Sequence, residues 1–241
     1  MREQYKMFDD ELLKNDFLNK HKECLPFIGE HYEQTRLLLI AESHYIRKDA
    51  MPYVKRDDFY DISFDALADG EYKGWINTRS VFEGRAYNNA SFDLFFSNIA
   101  TEIARVINQS NDLSMEQKRA AMQQYAFFNY FKRPSYKEGK TIEDLSEKDK
   151  EYAYNVSCHI INVLEPKLII FLSKKAYDEF CYSNHKATQP LNYTVKSVSH
   201  PSCPWWNRKR KDGKCGRDDY FEYVSAFFNT FCTDECSPHT V

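Results

Sequence analysis

Glycine and proline are scarce: the 241 residues include only 7 of the first and 8 of the second. A collagen-like or linker-rich chain needs far more of both, so those classes are excluded. No apolar run approaches the roughly 20 residues of a membrane-spanning helix, and no membrane partner is expected. The first residues, MREQYKMFDDELLK, are charged where a secretory signal has an apolar stretch, which predicts a cytoplasmic protein. Neither sign of charge dominates, since 33 Lys and Arg stand against 36 Asp and Glu for a formal net charge of -3. Any nucleic-acid partner must therefore be held by a local patch. The seven cysteines (Cys24, Cys158, Cys181, Cys203, Cys215, Cys232 and Cys236) are odd in number and widely spaced. That argues for reduced thiols over a disulfide framework.

Aromatic residues are what the chain has in plenty, at 16%. They can fill a core or supply flat surfaces on which bases stack. Apolar and charged fractions of 42% and 29% are ordinary for a globular protein. The length fits a single domain over 1–241, expected to act as a monomer.

Apolar spacing predicts an N-terminal helix over about 2–24. A continuous apolar run, Leu37 to Ala41, reads as a central parallel strand, apolar on both faces. From about 45 to 90 the pattern is irregular, a long loop region of the kind that often carries function. A helix capped by Ser91 runs to Ile107, and a shorter one over about Ser114 to Gln124 opens with the capping-box pair Ser114 and Gln117. Further strands are expected at Ala126–Asn129, Leu168–Leu172 and Tyr193–Val198, with helices over 146–164, from Ser173 to about Tyr182, and over about Asp218 to Phe231. The alternation predicts an α/β fold: a three-layer α/β/α sandwich around a central, mostly parallel four-stranded sheet. Ligands in such folds sit beyond the carboxyl ends of the strands. Here those ends carry Glu42-Ser43-His44-Tyr45, Asn129-Tyr130, Ser173-Lys174-Lys175 and Ser199-His200-Pro201-Ser202.

Four segments, LLLIAESHY (37–45), FFNYFKRP (127–134), LEPKLIIFLSKKAY (164–177) and VSHPSCP (198–204), occur in that order. Together they resemble the signature segments of the uracil-DNA glycosylase superfamily. Its first strand ends in a Gly-Gln-Asp-Pro-Tyr or Gly-Glu-Ala-Pro-Gly type motif and its last in a His-Pro-Ser-Pro type motif. The resemblance implies a uracil-DNA glycosylase-like domain that binds single- or double-stranded DNA and hydrolyses the N-glycosidic bond of uracil or a related base, with no metal or organic cofactor. Tyr45 matches the Tyr that crowds the C5 side of the base in one branch, and Ser43 and His44 fall in the same base-binding stretch. Three positions depart from the pattern: Ala41 replaces Gly, Ser43 the catalytic Asp of one branch, and His44 the usual Pro. The iron-sulfur branch has a Cys between Lys and Arg-Pro where this chain reads Lys132-Arg133-Pro134, so that cluster is not expected.

The chemistry also follows from the residues. Cleaving an N-glycosidic bond to a pyrimidine leaves negative charge on the base and positive charge on the sugar, so a site needs a donor and a carboxylate. His200 and Glu42 fit those two catalytic roles. An amide reads the Watson-Crick edge of a flipped base, and Asn129 is placed to do so. The stacking ring is expected among Phe59, Tyr60 and Trp75. From Ser202 onward the chain turns basic, with Ser202, Trp205, Trp206, Arg208, Lys209, Arg210, Lys211 and Lys214 expected to meet DNA: cations on phosphates, indoles in the base stack.

Structural readings stand beside these. Glu42 and His200 fit a hydrogen-bonded pair at the sheet's end, Asn129 a turn cap, and Trp205 and Trp206 an inward-packed pair. One alternative function is a nucleic-acid-binding protein on the same fold without catalysis. Another is an unrelated hydrolase using Glu42 and His44, which expects Asn129 and His200 to lie far from Glu42. A Ser-His hydrolase on Ser43 or Ser202 is weaker, since neither sits in a Gly-x-Ser-x-Gly elbow. Cys232, Cys236 and His239 lack metal-ligand spacing, and no metal is expected.

Overall fold

The computed structural model describes residues 6–46, 58–63, 76–84, 93–135, 142–187 and 192–234, with side chains as far as residue 230. In chain order these residues form α1 (Asp9–Leu12), α2 (Asp16–Lys20), β1 (Phe27–Ile28), α3 (Tyr32–Thr35), β2 (Leu37–Ala41), α4 (Thr78–Phe82) and α5 (Leu94–Asn108). There follow α6 (Met115–Ala121), β3 (Tyr125–Asn129), α7 (Glu147–Leu164), β4 (Leu168–Phe171), α8 (Lys174–Ala187), β5 (Thr194–Ser197) and α9 (Gly216–Asp234).

All four strands expected from the apolar runs are present, but the sheet is five-stranded and mixed, in the order β1-β3-β2-β4-β5. Four strands are parallel; β1 pairs antiparallel with β3, Phe27 opposite Phe127. Every residue of β2 and β3 is buried because both faces of the sheet are covered. Successive side chains alternate between the faces. Leu38, Ile40, Phe128 and Phe171 cluster with Val156, Ile160 and Leu164 of α7 and Phe180 of α8. Leu37, Leu39, Phe127 and Ile170 cluster with Ile99 and Ile103 of α5 and with Tyr220 and Val224 of α9.

Chain entry departs from expectation. The single helix over 2–24 is divided, because the Asn15 side chain accepts from the Leu18 N–H at 3.2 Å and starts α2 afresh, followed by a 3₁₀ turn at Lys22–Cys24. The polar side chain of Asn competes with helix continuation and favours a new N-cap. Buried Arg79 of α4 fastens this segment through Asp9, at 2.6 and 2.9 Å, and through the Pro26 carbonyl. Gly29 follows β1 where only a hydrogen fits, since a Cβ there would sit 2.3 Å from the Gln123 carbonyl oxygen.

Within the expected 45–90 loop, the described parts are Tyr45 and Ile46, a turn at 58–63, and 76–84 with α4. Helix α5 is capped by Asp93, which accepts from the Phe95 N–H at 3.0 Å; Ser91, the cap expected from sequence, lies outside the described residues. Helix α8 continues five residues past Tyr182 to Ala187. The capping box of α6 forms as its spacing predicts: Ser114 accepts from the Gln117 N–H, and Gln117 accepts from the Ser114 N–H. Replacing Ser114 by Ala should cost about 1 kcal/mol in urea unfolding, the usual loss for a serine cap. No helix among the described residues is long and apolar enough to cross a membrane.

Candidate active site

The order of the strands places a switch point between β2 and β4, because the connection leaving β2 runs to one side of the sheet and the one leaving β4 runs to the other. Crevices at such points, outside the carboxyl ends of the strands, are where open α/β sheets bind ligands. Register aligns those ends: Ala41 lies opposite Asn129, Ile40 opposite Phe171, and Phe171 opposite Ser197. Glu42, Asn129, Ser173 and the loop bearing His200 consequently share one edge.

Glu42 is buried and bridges the switch point. Its Oε1 accepts from the Ile142 N–H at 2.7 Å, and its Oε2 accepts from the Ser173 hydroxyl at 2.6 Å. Ser173 in turn accepts from the Ala176 N–H, so the carboxylate reaches the amino end of α8, where the helix dipole favours an anion. The Ile142 carbonyl accepts from the Lys175 ammonium, closing this small network.

Beside Glu42, the Ser43 hydroxyl is buried and has no hydrogen-bond partner among the described residues. His44 presents Nε2 to the Thr78 hydroxyl at 3.0 Å, and its carbonyl accepts from the Ser135 N–H. Tyr45 is half-buried and bridges to Ser135, extending the β2–β3 pairing beyond the sheet. Burial, reinforced by the charge of Glu42, pushes its phenol up to about 12 and keeps it protonated.

Asn129 ends β3. Its carbonyl accepts from the Lys132 ammonium at 2.8 Å, while its side-chain amide makes no hydrogen bond among the described residues. Lys132 is buried, stands 4.4 Å from the centre of the Phe128 ring, and is pulled down to about 7 by desolvation. Its neighbour Arg133 is buried too, paired with Asp149 at 2.8 Å.

His200 lies in the loop after β5. Its Nδ1 accepts from the Ser202 N–H at 3.2 Å, which leaves the proton of the neutral ring on Nε2. Burial lowers its pKa below the ordinary histidine value despite the opposing charges of Glu42 and Asp93, so the ring is a neutral donor at neutral pH. Ser202 thus serves this site through its backbone. The loop is held by the Asn98 amide, which donates to the Pro201 carbonyl at 2.7 Å.

Two of the three expected stacking rings do not lie here. Phe59 and Tyr60 are core residues packed with Phe17, His21 and Tyr152, and Trp75 lies outside the described residues. The ring that sequence reasoning misses is Phe95, at 5.0 Å from the His200 ring. In the sequence it reads as one more apolar position of α5.

The two tryptophans part company. A 3₁₀ turn over Pro204–Trp206 rotates neighbouring side chains about a third of a turn apart. Trp206 is fully buried against Tyr220, so it forms part of the core and presents no ring to DNA, while Trp205 is 50% exposed. The five cations expected to meet phosphates divide likewise. Arg210 is tied to Asp219 and Asp212, and Lys214 to Glu222. Arg208, Lys209 and Lys211 are exposed and form no salt bridge among the described residues.

Among the described residues no three His, Cys, Asp or Glu side chains gather as a cation site; the side chains of Cys232, Cys236 and His239 lie outside them. Cys24, Cys158, Cys181, Cys203 and Cys215 are free thiols. Compared with known proteins, the chain matches no protein-family model and no curated protein.

Proposed function

We propose that this chain is a uracil-DNA glycosylase-like protein of three-layer α/β/α build. In this reading it releases uracil or a related base from DNA in the cytoplasm. The observation that carries the reading is the gathering, at one edge of the sheet, of a pinned carboxylate, an amide without a hydrogen-bond partner among the described residues and a neutral imidazole with its proton on Nε2. Glu42 stabilises the positive charge that develops on the sugar, and His200 donates to the oxygen of the departing base. The Asn129 amide reads the Watson-Crick edge, Tyr45 crowds the base, and Phe95 offers a ring beside His200. The hydrolase alternative built on Glu42 and His44 is disfavoured, since Asn129 lies beside Glu42 and the His44 imidazole is engaged with Thr78. Oligonucleotides carrying one uracil, hypoxanthine, xanthine or mismatched base, incubated with the protein and cleaved with alkali, test the activity directly.

One observation favours a second reading, a nucleic-acid-binding protein without catalysis. Both oxygens of Glu42 already accept a hydrogen bond, and Ser43 stands where a catalytic carboxylate would be expected. Absence of strand cleavage with all four substrates, combined with salt-dependent binding, would select it.

Binding should be graded by residue in either case. Replacing Arg208, Lys209 or Lys211 is expected to reduce the slope of log affinity against log salt by about 0.9 on duplex or about 0.7 on single strands for each phosphate that is no longer neutralised. Arg210 and Lys214, already neutralised by carboxylates, should change the slope less; anisotropy titrations between about 50 and 200 mM salt measure this.

A further inference from the structure

We propose that Trp205 and Arg208 form a one-sided stacking platform for an unpaired base, giving the protein a preference for single-stranded over duplex nucleic acid. This rests on reading the strand-end site as one that acts on nucleic acid.

Three features of the loop after His200 carry the inference. The first is rigidity. Trp205 is anchored from below by its neighbour Trp206, fully buried against Tyr220. From the side, helix α9 begins at Gly216 so closely that a Cβ there would meet Ser199 at 2.9 Å and the Trp205 carbonyl oxygen at 3.3 Å. The backbone that carries the exposed indole is therefore held in place, which lowers the ordering needed when a base stacks on it.

The second is that one face of the half-exposed indole is covered. The Arg208 guanidinium lies over the ring, 4.8 Å from its centre. A wedge that kinks a duplex enters between two base pairs and must offer an apolar surface to both. A ring covered on one face by a cation stacks on one base only. An unpaired strand supplies such a base without the cost of breaking a pair.

The third is where the free positive charge lies. Arg208, Lys209 and Lys211 occupy the same loop, exposed and without a salt bridge among the described residues, whereas Arg210 and Lys214 are held by Asp212, Asp219 and Glu222. Stacking surface and cations outside the described salt bridges thus coincide, the combination by which proteins grip single strands.

The test uses the full chain and a labelled oligodeoxythymidine of about 20 nucleotides, long enough for one site. The strand holds no uracil, so base release does not enter. Anisotropy should show the single strand bound about 10-fold more tightly than its duplex with oligodeoxyadenosine, with quenching of tryptophan fluorescence on binding. Trp205→Ala should weaken the single strand about 10-fold, leave the duplex within about 2-fold, and preserve the salt slope. Trp205→Phe should recover most of the loss, and unchanged thermal unfolding would show that each variant is folded. Equal or tighter duplex binding, or an equal loss on both forms with Trp205→Ala, overturns the proposal. Failure of the glycosylase reading would appear differently, as no release of uracil with single-strand binding intact.

Discussion

Replacement of His200 by alanine is expected to lower the single-turnover rate of base release by about 100-fold, the loss typical of removing one preorganised donor to a developing anion. The Ser202 N–H fixes the tautomer by occupying Nδ1, and burial keeps the ring neutral, so the donor is in place before the bond begins to break. Glu42→Gln should produce a loss of similar order, about 100-fold, because the shape of the side chain survives while its charge does not. Unchanged release in both variants would remove the assigned roles. Acidity offers an independent check. Protonation leaves the Nε2 donor but puts a proton on Nδ1, which can then no longer accept from the Ser202 N–H, so the ring loses its fixed position as the pH falls through its depressed pKa and release should decline on the acid side.

Asp149→Ala is expected to cost about 3 to 5 kcal/mol of stability, the usual consequence of stranding a buried cation. Arg133 binds this carboxylate through Nε and Nη2 at 2.8 Å, Tyr60 donates to it at 2.5 Å, and the Ser146 N–H donates at 2.8 Å. One side chain thus fastens the turn after β3, the described 58–63 turn and the amino end of α7. Burial alone would raise the Asp149 carboxyl, but these donors outweigh it and hold the pKa below the usual carboxylate range. A depressed folded-state pKa contributes stability that is complete above the unfolded value of about 3.9 and disappears as pH falls through the folded value. Urea unfolding at neutral and acid pH measures both effects. The double variant Arg133→Met with Asp149→Leu should recover much of the loss, since no charge is left buried and unpaired.

How much of this is legible in the sequence depends on whether the determining interactions are local. Leu37 to Ala41 declare a strand buried on both faces because five consecutive apolar residues have no other economical place in an α/β fold, and the Ser114 and Gln117 pair declares its own helix start. The edge carrying Glu42, Asn129 and His200 follows from locating the strand ends. Strand β1 is not legible: two residues between Pro26 and Gly29 carry no periodicity, and their pairing with Phe127 and Ala126 is made about a hundred positions away. Lys132 and Arg133 look like the solvated end of a strand, since nothing nearby in sequence foretells Asp149 or the Phe128 face as their partners. The basic loop is overcounted for the same reason. Asp212 lies close to its arginine in sequence, but Asp219 and Glu222 return to the loop only because α9 folds back along it.

The brief strand β1 has a consequence for how copies of this protein behave toward one another. The outer margin of β3 is a row of backbone groups on Tyr125–Asn129, a segment with no formal charge and no proline, the composition that most readily recruits identical strands. Phe27 and Ile28 cover that margin, and the Gly29 and His31 N–H groups extend the cover by donating to the carbonyls of Tyr125 and Gln123. At the opposite margin β5 is protected differently, by alternating exposure and a lysine, Lys196, standing over the Tyr223 ring. Resistance to aggregation is thus distributed unequally: one margin carries its own protection, whereas the other borrows it from a few residues near the amino end, and cleavage within them would expose β3 as a template for self-association.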